Sequence, residues 1–208
     1  MNGTMSDNAN ELFPTVDDQG NVTGCVTRGE AHGGSMILHP VVHLHVFNAH
    51  GDLFLQHRPV WKDIQPGKWD TACGGHVAYG ETIEQALSRE VSEELGITDF
   101  TPKFIGRYVF ESSRERELVN VHITTYNGII TPDANELDGG RFWSRAEILA
   151  NIGSNVFTPN FESEYLRFFS PSPKHPEREV EGLRSKVFHL LLSIFYVYAF
   201  VIAMLPDA

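Results

Sequence analysis

Residues 75–97 read GHVAYGETIEQALSREVSEELGI, and this stretch decides the fold of the chain. Apolar residues recur in it at helical intervals, which predicts a helix over residues 84–95 with one buried face. Gly80 and Thr82 are suitable start signals, and Gly96 is a suitable C-terminal stop. The residues expected to face a core are Ile83, Ala86, Leu87 and Val91.

Three glutamates of this helix are spaced to share one face. Glu90, Glu93 and Glu94 stand at i, i+3 and i+4. Such clustered carboxylates repel one another unless a cation lies between them, and oxygen ligands favour a hard divalent ion. Mg²⁺ suits this role because it bridges carboxylates and phosphates. The sequence therefore predicts a Mg²⁺ or Mn²⁺ site, with a solvated acidic face as the alternative.

The same stretch carries the complete pattern G-x5-E-x7-R-E-U-x-E-E-x-G-U, where U is a bulky apolar residue. On this pattern the chain resembles the Nudix superfamily, and the resemblance covers residues 12–169. It implies an α+β fold, the Nudix α/β/α sandwich with a mixed β-sheet. It also implies hydrolysis of a diphosphate linked to another moiety, X, with Mg²⁺ or Mn²⁺ as cofactor.

The resemblance assigns roles to individual residues of the pattern. The metal ligands are Glu90, Glu93 and Glu94. Glu93 is also a candidate base for the attacking water, although several family members place the base on another loop. The catalytic residues expected are Glu93, Glu94 and Arg89, and the structural residues are Gly75 in the loop before the helix, Glu81 as the partner of Arg89, and Gly96.

A second pattern lies upstream and is rich in histidine. Ala31-His32, Leu38-His39-Pro40, Gln56-His57-Arg58, Gln65-Pro66-Gly67-Lys68-Trp69 and Gly74-Gly75-His76 resemble motifs of the isopentenyl-diphosphate isomerases and their Nudix relatives. In those isomerases, three histidines at these places bind a divalent metal together with two later glutamates. The resemblance implies metal ligation by His32, His39 and His76, and diphosphate binding by Arg28, Arg58 and Lys62. Alternatively, these histidines hold a different metal or none, and His43 and His45 simply line one face of a strand.

Departures from the isomerase pattern favour a hydrolase. The isomerase cysteine falls on Gly74, whereas Cys73 lies one residue earlier and would point to the opposite face of a strand. The isomerases carry a degraded form of the pattern at residues 75–97, here called the box, whereas this chain keeps every element of it. Their later E-x-E pair has no gapless match, and Glu115 and Glu117 could substitute only if the loops shift. Isopentenyl-diphosphate isomerase is the second hypothesis, and a non-catalytic module that binds diphosphate ligands is the third.

Composition limits the classes of partner. The chain has 208 residues, 41% hydrophobic content and a net charge of −11, which permit one sizeable core and disfavour a nucleic-acid polymer as partner. Its two cysteines offer no disulfide framework, which is typical of a reducing, cytoplasmic location. The expected partner is a small-molecule diphosphate, and a homodimer is an open alternative.

The chain divides by composition into four parts. Residues 1–11 are expected to be a flexible N-terminus, 12–169 the Nudix domain, and 170–186 a linker. Residues 187–205 are mainly apolar and without formal charge, long enough to span a bilayer as a tail anchor facing the cytoplasm. The alternatives are packing on the domain or on another chain, and a tail without function.

Overall fold

The computed structural model describes residues 8–62 and 64–170 of the chain. The chain divides into two units after Phe168, and the description covers the second unit only at Phe169 and Ser170. The apolar segment 187–205 and the predicted linker beyond Ser170 therefore lie outside the described residues. Within the described residues, no helix has the length and apolar character needed to cross a membrane.

Nine strands and four helices follow one another along the described chain. They are β1 (Leu12–Val16), β2 (Val22–Thr27), α1 (Arg28–Ala31), β3 (Leu38–Phe47), β4 (Leu53–His57), β5 (Trp69–Thr71), β6 (Cys73–His76), α2 (Ile83–Leu95), β7 (Lys103–Glu111), β8 (Arg116–Thr125), β9 (Gly140–Trp143), α3 (Arg145–Asn151) and α4 (Pro159–Phe168).

The strands form a hairpin and one mixed sheet. β1 and β2 pair antiparallel, and the larger sheet has the order β5-β4-β3-β8-β7, with β6 added to β3 and β9 added to β4. The pairing of β3 with β8 is parallel, whereas β4 and β6 pair antiparallel with β3. Helices α2 and α4 pack against this sheet. The predicted mixed-sheet α+β fold is confirmed.

Strand β3 is buried on both of its faces, and the two faces differ in chemistry. Val42, Leu44 and Val46 belong to the main apolar core, which α2 also enters. Because side chains alternate along a strand, the odd-numbered residues point the other way. That opposite face carries His39, Val41, His43 and His45.

Helix α2 forms where the local spacing predicts it. Thr82 caps its N-terminus. The Gln85 backbone N–H donates to the Thr82 hydroxyl, and the Thr82 backbone N–H donates to the side-chain oxygen of Gln85. Gly96 ends the helix in the left-handed region at φ 66°, which favours glycine. The face that packs on the core consists of Ala86, Leu87, Val91 and Leu95, with Ile83 partly buried beside it.

The short helix α1 was not predicted from the sequence. It is one turn long, and the Thr27 hydroxyl caps it by accepting from the Glu30 backbone N–H. His32 follows at its C-terminal cap. Residues 8–11 lie beside it, because the backbone N–H groups of Arg28 and Gly29 donate to carbonyls at positions 11 and 9.

Candidate active site

A cavity of about 850 Å³ brings most of the predicted site residues together. One part of its wall is acidic and comes from α2, while other parts are basic and come from the loops around β4 and from α1. The predicted site residues that line it are Arg28, His32, Arg58, Lys62, Gly75, His76, Arg89, Glu90, Glu93 and Glu94.

Arg89 organises the acidic wall. Its guanidinium donates Nε–H and an Nη2–H to the two carboxylate oxygens of Glu81, both at 2.9 Å. It also donates from Nη1 to Glu90 at 2.8 Å and to Glu93 at 3.3 Å, and from Nη2 to the His76 carbonyl at 3.0 Å. The structure thus shows the expected Arg89–Glu81 pair. Two of the three box carboxylates are also held by the same cation.

The third box carboxylate, Glu94, lies deeper. The Cys73 thiol and the Gly74 backbone N–H favour its charged form, and its Oε2 atom is buried with no hydrogen-bond partner among the described residues. Burial and the charge of Glu90 raise the pKa of Glu94 to about 8. A buried carboxylate oxygen without a donor is the kind of group that a divalent cation would satisfy.

Gly75 leaves the space that Glu90 occupies. A Cβ at position 75 would lie 2.0 Å from Cδ of Glu90, far inside any contact distance. We expected this glycine in the loop before the helix, whereas the structure places it in β6, paired with Val42. Its role is therefore to let the Glu90 carboxylate approach the strand.

A second group of potential ligands lies at the same cavity, which His32, His76 and Glu117 line. One nitrogen from each of His32, His39 and His76 and one oxygen of Glu117 all lie within 4.8 Å of one another. Nε2 of His32 lies 3.0 Å from Nε2 of His76 and 3.7 Å from the Glu115 carboxylate. This group combines imidazoles and carboxylates in one place, which suits Mn²⁺, Fe²⁺ or Zn²⁺ better than Mg²⁺.

The histidines of this group are held ready for ligation. His39 Nδ1 donates to the Ile37 carbonyl at 3.0 Å, so Nε2 carries the lone pair. That Nε2 atom is buried and has no hydrogen-bond partner in the part of the chain that the structure describes. Phe13 of the hairpin stacks on His76, with ring centroids 4.4 Å apart, and fixes the plane of that ring.

Burial keeps two imidazoles of this group, those of His39 and His76, neutral. It lowers the pKa of His39, and together with the charge of Arg28 it lowers the pKa of His76 well below the usual value. Burial and the charge of Glu115 raise the pKa of Glu117 to about 7. Neutral imidazoles are the form that binds a metal, so the electrostatics fit a cation bound among these groups.

Glu115 and Glu117 reach this place through the parallel pairing of β3 and β8. In that register His39 lies opposite Glu117, although a gapless comparison put the E-x-E pair at Val121 and Ile123. The loop between β7 and β8 is short enough to bring both glutamates to the cavity. The absence of an E-x-E pair is therefore no longer an argument against the isomerase hypothesis.

The three predicted phosphate-binding cations line the cavity, and each also contacts a carboxylate of the protein. Arg28 donates to Glu11 at 3.0 Å, and Lys62 donates to Glu136 at 2.7 Å. Arg58 lies 3.4 Å from Asp70. Their positions are fixed by these ion pairs before any ligand arrives.

Cys73 does not face the cavity. It is fully buried in the core beside α2, and burial and the charge of Glu94 raise the pKa of its thiol well above the usual value. A thiol of this kind is a poor nucleophile and a poor acid–base group. The position next to the cavity belongs to Gly74.

The NUDIX domain family model matches residues 37–161, more than half of the chain. The chain belongs to the Nudix family. An uncharacterized Nudix hydrolase of Streptomyces coelicolor is 29% identical to it over 169 residues, covering 80% of this chain and 92% of the relative. An isopentenyl-diphosphate Delta-isomerase of Mycolicibacterium vanbaalenii is 35% identical over 133 residues, covering 61% of this chain and 74% of the relative.

Solved structures agree with this Nudix assignment. A crystal structure from Deinococcus radiodurans is similar with a TM-score of 0.67 at 22% identity, covering 76% of this chain and 99% of that chain, which shows a shared fold. A MutT protein of Methanosarcina mazei has a TM-score of 0.54 at 25% identity, covering 63% of this chain and 92% of that chain. The predicted family, its isomerase-like branch and the assignment as a Nudix hydrolase enzyme are confirmed.

One group near the Nudix cavity was missed from the sequence. Glu164 of α4 is fully buried and accepts a hydrogen bond from His43 Nδ1 at 2.9 Å. It also contacts His45 Nε2, and the Tyr108 hydroxyl lies 2.6 Å from it. The alternating histidines of β3 are visible in the sequence, but no local pattern identifies their partner Glu164, which lies 121 residues after His43.

Proposed function

We propose that this chain hydrolyses the diphosphate linkage of a small organic diphosphate, such as a nucleoside diphosphate linked to X, with Mg²⁺ or Mn²⁺. The observation that carries the proposal is one cavity lined both by Glu90, Glu93 and Glu94 and by Arg28 and Lys62. A site for a diphosphate and a divalent cation needs both acidic and basic side chains. The carboxylates bind the cation, and the basic side chains bind the phosphate oxygens whose charge the cation does not offset.

The box glutamates would hold the catalytic cation. The unsatisfied Oε2 atom of Glu94 and the space left by Gly75 for Glu90 both support this assignment. When bound, such a cation offsets charge on the phosphates and lowers the pKa of a water molecule. Glu93 is the most exposed of the three carboxylates and is the candidate base toward an attacking water.

The cationic residues would grip the substrate. Arg58 is braced by the Ile64 carbonyl, which accepts from Nε at 3.2 Å and from Nη2 at 2.9 Å. Lys62 is held by Glu136, and Arg28 by Glu11. Because these side chains are already oriented, they lose less conformational entropy when phosphate oxygens bind.

A second cation bound by His32, His39, His76 and Glu117, with Glu115 beside them, is part of the proposal. The buried lone pair of His39 Nε2 supports it. Mn²⁺ is the ion we expect to use both groups, since it accepts imidazole as well as carboxylate ligands.

The test is a screen of the full chain against dinucleoside polyphosphates, nucleotide sugars, NADH, oxidised nucleotides and prenyl diphosphates with Mg²⁺ and Mn²⁺. Phosphate release and mass spectrometry identify the bond that is cleaved. Glu94→Gln should reduce turnover by about a thousandfold or more, since it removes a ligand of the catalytic ion. Glu84→Gln is the matched control, because Glu84 lies on the exposed part of the same helix. Equal turnover by Glu94→Gln and Glu84→Gln would contradict a mechanism in which Glu94 binds the catalytic ion.

Isopentenyl-diphosphate isomerase is a second candidate, favoured by the assembled histidine–glutamate group and by the similarity to named isomerases. It is opposed by glycine at position 74 and by the burial of Cys73. Production of dimethylallyl diphosphate is the direct assay. Absence of that product, with hydrolysis observed in the screen, decides for the hydrolase. Binding without turnover on every substrate would instead support a binding module.

The proposed partner is a small molecule, and the charge of −11 disfavours a nucleic-acid polymer. A tail anchor at residues 187–205, a cytoplasmic location and a homodimer stay predictions.

A further inference from the structure

His43 lines the cavity beside Gly74, the position at which the isomerases carry a cysteine. It pairs with Gly74 across β3 and β6, and both residues line the cavity. A Cβ at position 74 would lie 3.2 Å from Cδ2 and 3.3 Å from Nε2 of His43. The Cδ2–Nε2 edge of the ring therefore occupies the space above this glycine, at the surface of the cavity.

Glu164 fixes the orientation of that ring. Its Oε2 atom accepts from His43 Nδ1, and its Oε1 atom accepts from His45 Nε2. Tyr108 Oη lies 2.6 Å from Glu164 and 2.7 Å from Asn160 Oδ1, which holds the carboxylate from a further side. With three donors on two oxygens, Glu164 stays ionised although it is fully buried.

This arrangement gives the ring a defined chemical state. Because Nδ1–H donates to a carboxylate, the other nitrogen is the one that faces the cavity. Burial alone would lower the pKa of His43, but the charge of Glu164 and the hydrogen bond to it outweigh burial and raise the pKa to about 9. Near neutral pH both ring nitrogens carry protons, and the ring is a cation whose Nε2–H makes no hydrogen bond within residues 8–62 and 64–170.

The other cations of the cavity differ from His43 in their setting. Arg28, Arg58 and Lys62 are side chains whose charged groups contact carboxylates that themselves lie at or near the cavity. The hydrogen-bonded partner of His43 is instead Glu164, which lies outside the cavity lining, while the charges of Glu117 and Asp70 in the lining act on the ring without a hydrogen bond to it. The Nε2–H donor of His43 therefore points at the ligand space.

We propose that His43 contacts the substrate, donating Nε2–H to a non-bridging oxygen of the diphosphate, and that Glu164 is the positioning residue that holds His43 for this contact. The inference rests on the proposed function, because it takes a diphosphate as the ligand of the cavity. Gly74 belongs to the same arrangement, since a Cβ there would lie in tight contact with the ring and require it to shift by a few tenths of an ångström.

The experiment first uses the full chain with Mg²⁺ and a substrate that the screen has identified. His43→Gln keeps a polar side chain but removes the cation, and should lower kcat/KM by about ten- to a hundredfold, as expected for a lost hydrogen bond to a charged group. The matched control is His50→Gln, since His50 is exposed in the turn after β3. It should leave kcat/KM unchanged within twofold, by the same assay.

A spectroscopic readout separates contact from mere folding. Imidodiphosphate with Mg²⁺ is titrated into the wild-type protein, and the ring ¹⁵N resonances of histidine are followed. The His43 Nε2 resonance should shift as the probe saturates, and in Glu164→Gln this shift should be reduced while the backbone amide spectrum is retained. The wild-type titration needs no variant, so it decides even if His43→Gln does not fold.

The outcomes are distinct. If the wild type cleaves no diphosphate in the screen, the proposed function fails. If it does cleave one, but His43→Gln matches the wild type in kcat and KM, or the His43 ring does not respond to imidodiphosphate, the inference on His43 is overturned and the hydrolase proposal stands.

Discussion

Replacing Glu164 by glutamine should reveal how strongly the buried His43–Glu164 pair stabilises the fold. Glutamine has the same shape and keeps one acceptor, but it removes the charge that favours protonated His43. The rise in the pKa of His43 from 6.5 to about 9 corresponds to about 3 kcal/mol of stabilisation, since each pKa unit is worth about 1.4 kcal/mol.

The sign of the pH dependence follows from the direction of the shift. The pKa of His43 is higher in the folded than in the unfolded protein, so the stabilisation is complete below about pH 6.5 and is lost as the pH rises through about 9. Glu164→Gln should therefore lower the free energy of unfolding by up to about 3 kcal/mol near pH 6, since Glu117 and Asp70 supply part of the shift, and by much less near pH 9.5.

The assay is urea unfolding followed by tryptophan fluorescence, because Trp69 and Trp143 pack edge to face inside the domain. Glu162→Gln is the control, since Glu162 lies on the same helix with its carboxylate near the surface, accepting from the Gly153 backbone N–H. The control should show the same small effect at both pH values. A loss of stability in Glu164→Gln that is equal at both pH values would refute the reasoning.

Three further predictions concern Gly75, the two cysteines and Glu94. Gly75→Ala should lower turnover by about a hundredfold with an unchanged circular dichroism spectrum, because the new Cβ would meet Glu90; wild-type rates would contradict this. Cys73 should react with a thiol reagent only on unfolding, whereas exposed Cys25 reacts at once; fast labelling of two thiols in the native protein would argue against it. Apparent Mg²⁺ affinity should rise about tenfold per pH unit up to about pH 8, because Glu94 must lose a proton; calorimetry that finds a constant affinity over this range would exclude that coupling.

Helix α2 shows which structural features can be predicted from the local sequence. Thr82, Gln85 and Gly96 act within one turn of their own positions, so the cap, the stop and the buried stripe were all predictable. The contact between Arg89 and Glu81 lies within the same motif, eight residues apart, and the family resemblance was enough to predict it.

Gly75 marks the limit of that local reasoning. The sequence showed that a glycine stands at a fixed distance from the helix, but not what it must leave room for. The carboxylate of Glu90 fills that room only because β6 pairs with β3 and α2 packs against both. This steric requirement arises between a residue of β6 and a residue of α2, so neither segment of the sequence shows it alone.

The histidine–glutamate group depended on strand register. Sequence alone proposed His32, His39 and His76 as a set, whereas Glu117 could join them only if the loops were shifted relative to a gapless comparison. The parallel pairing of β3 with β8 places Glu117 opposite His39 and restores it to the group. A register cannot be counted along the chain when a loop of unknown length intervenes.

The sequence by itself determined the family, the helix with its three carboxylates, and the residue types that a diphosphate and its cation require. These follow from short-range spacing, which backbone geometry converts directly into a shared face. Only the tertiary structure decided that Glu164 accepts a hydrogen bond from His43, that Glu90 fills the space beside Gly75, and that two groups of potential ligands lie at one cavity. Those facts arise from contacts between residues far apart in the chain, whose meeting depends on how the sheet is ordered and packed.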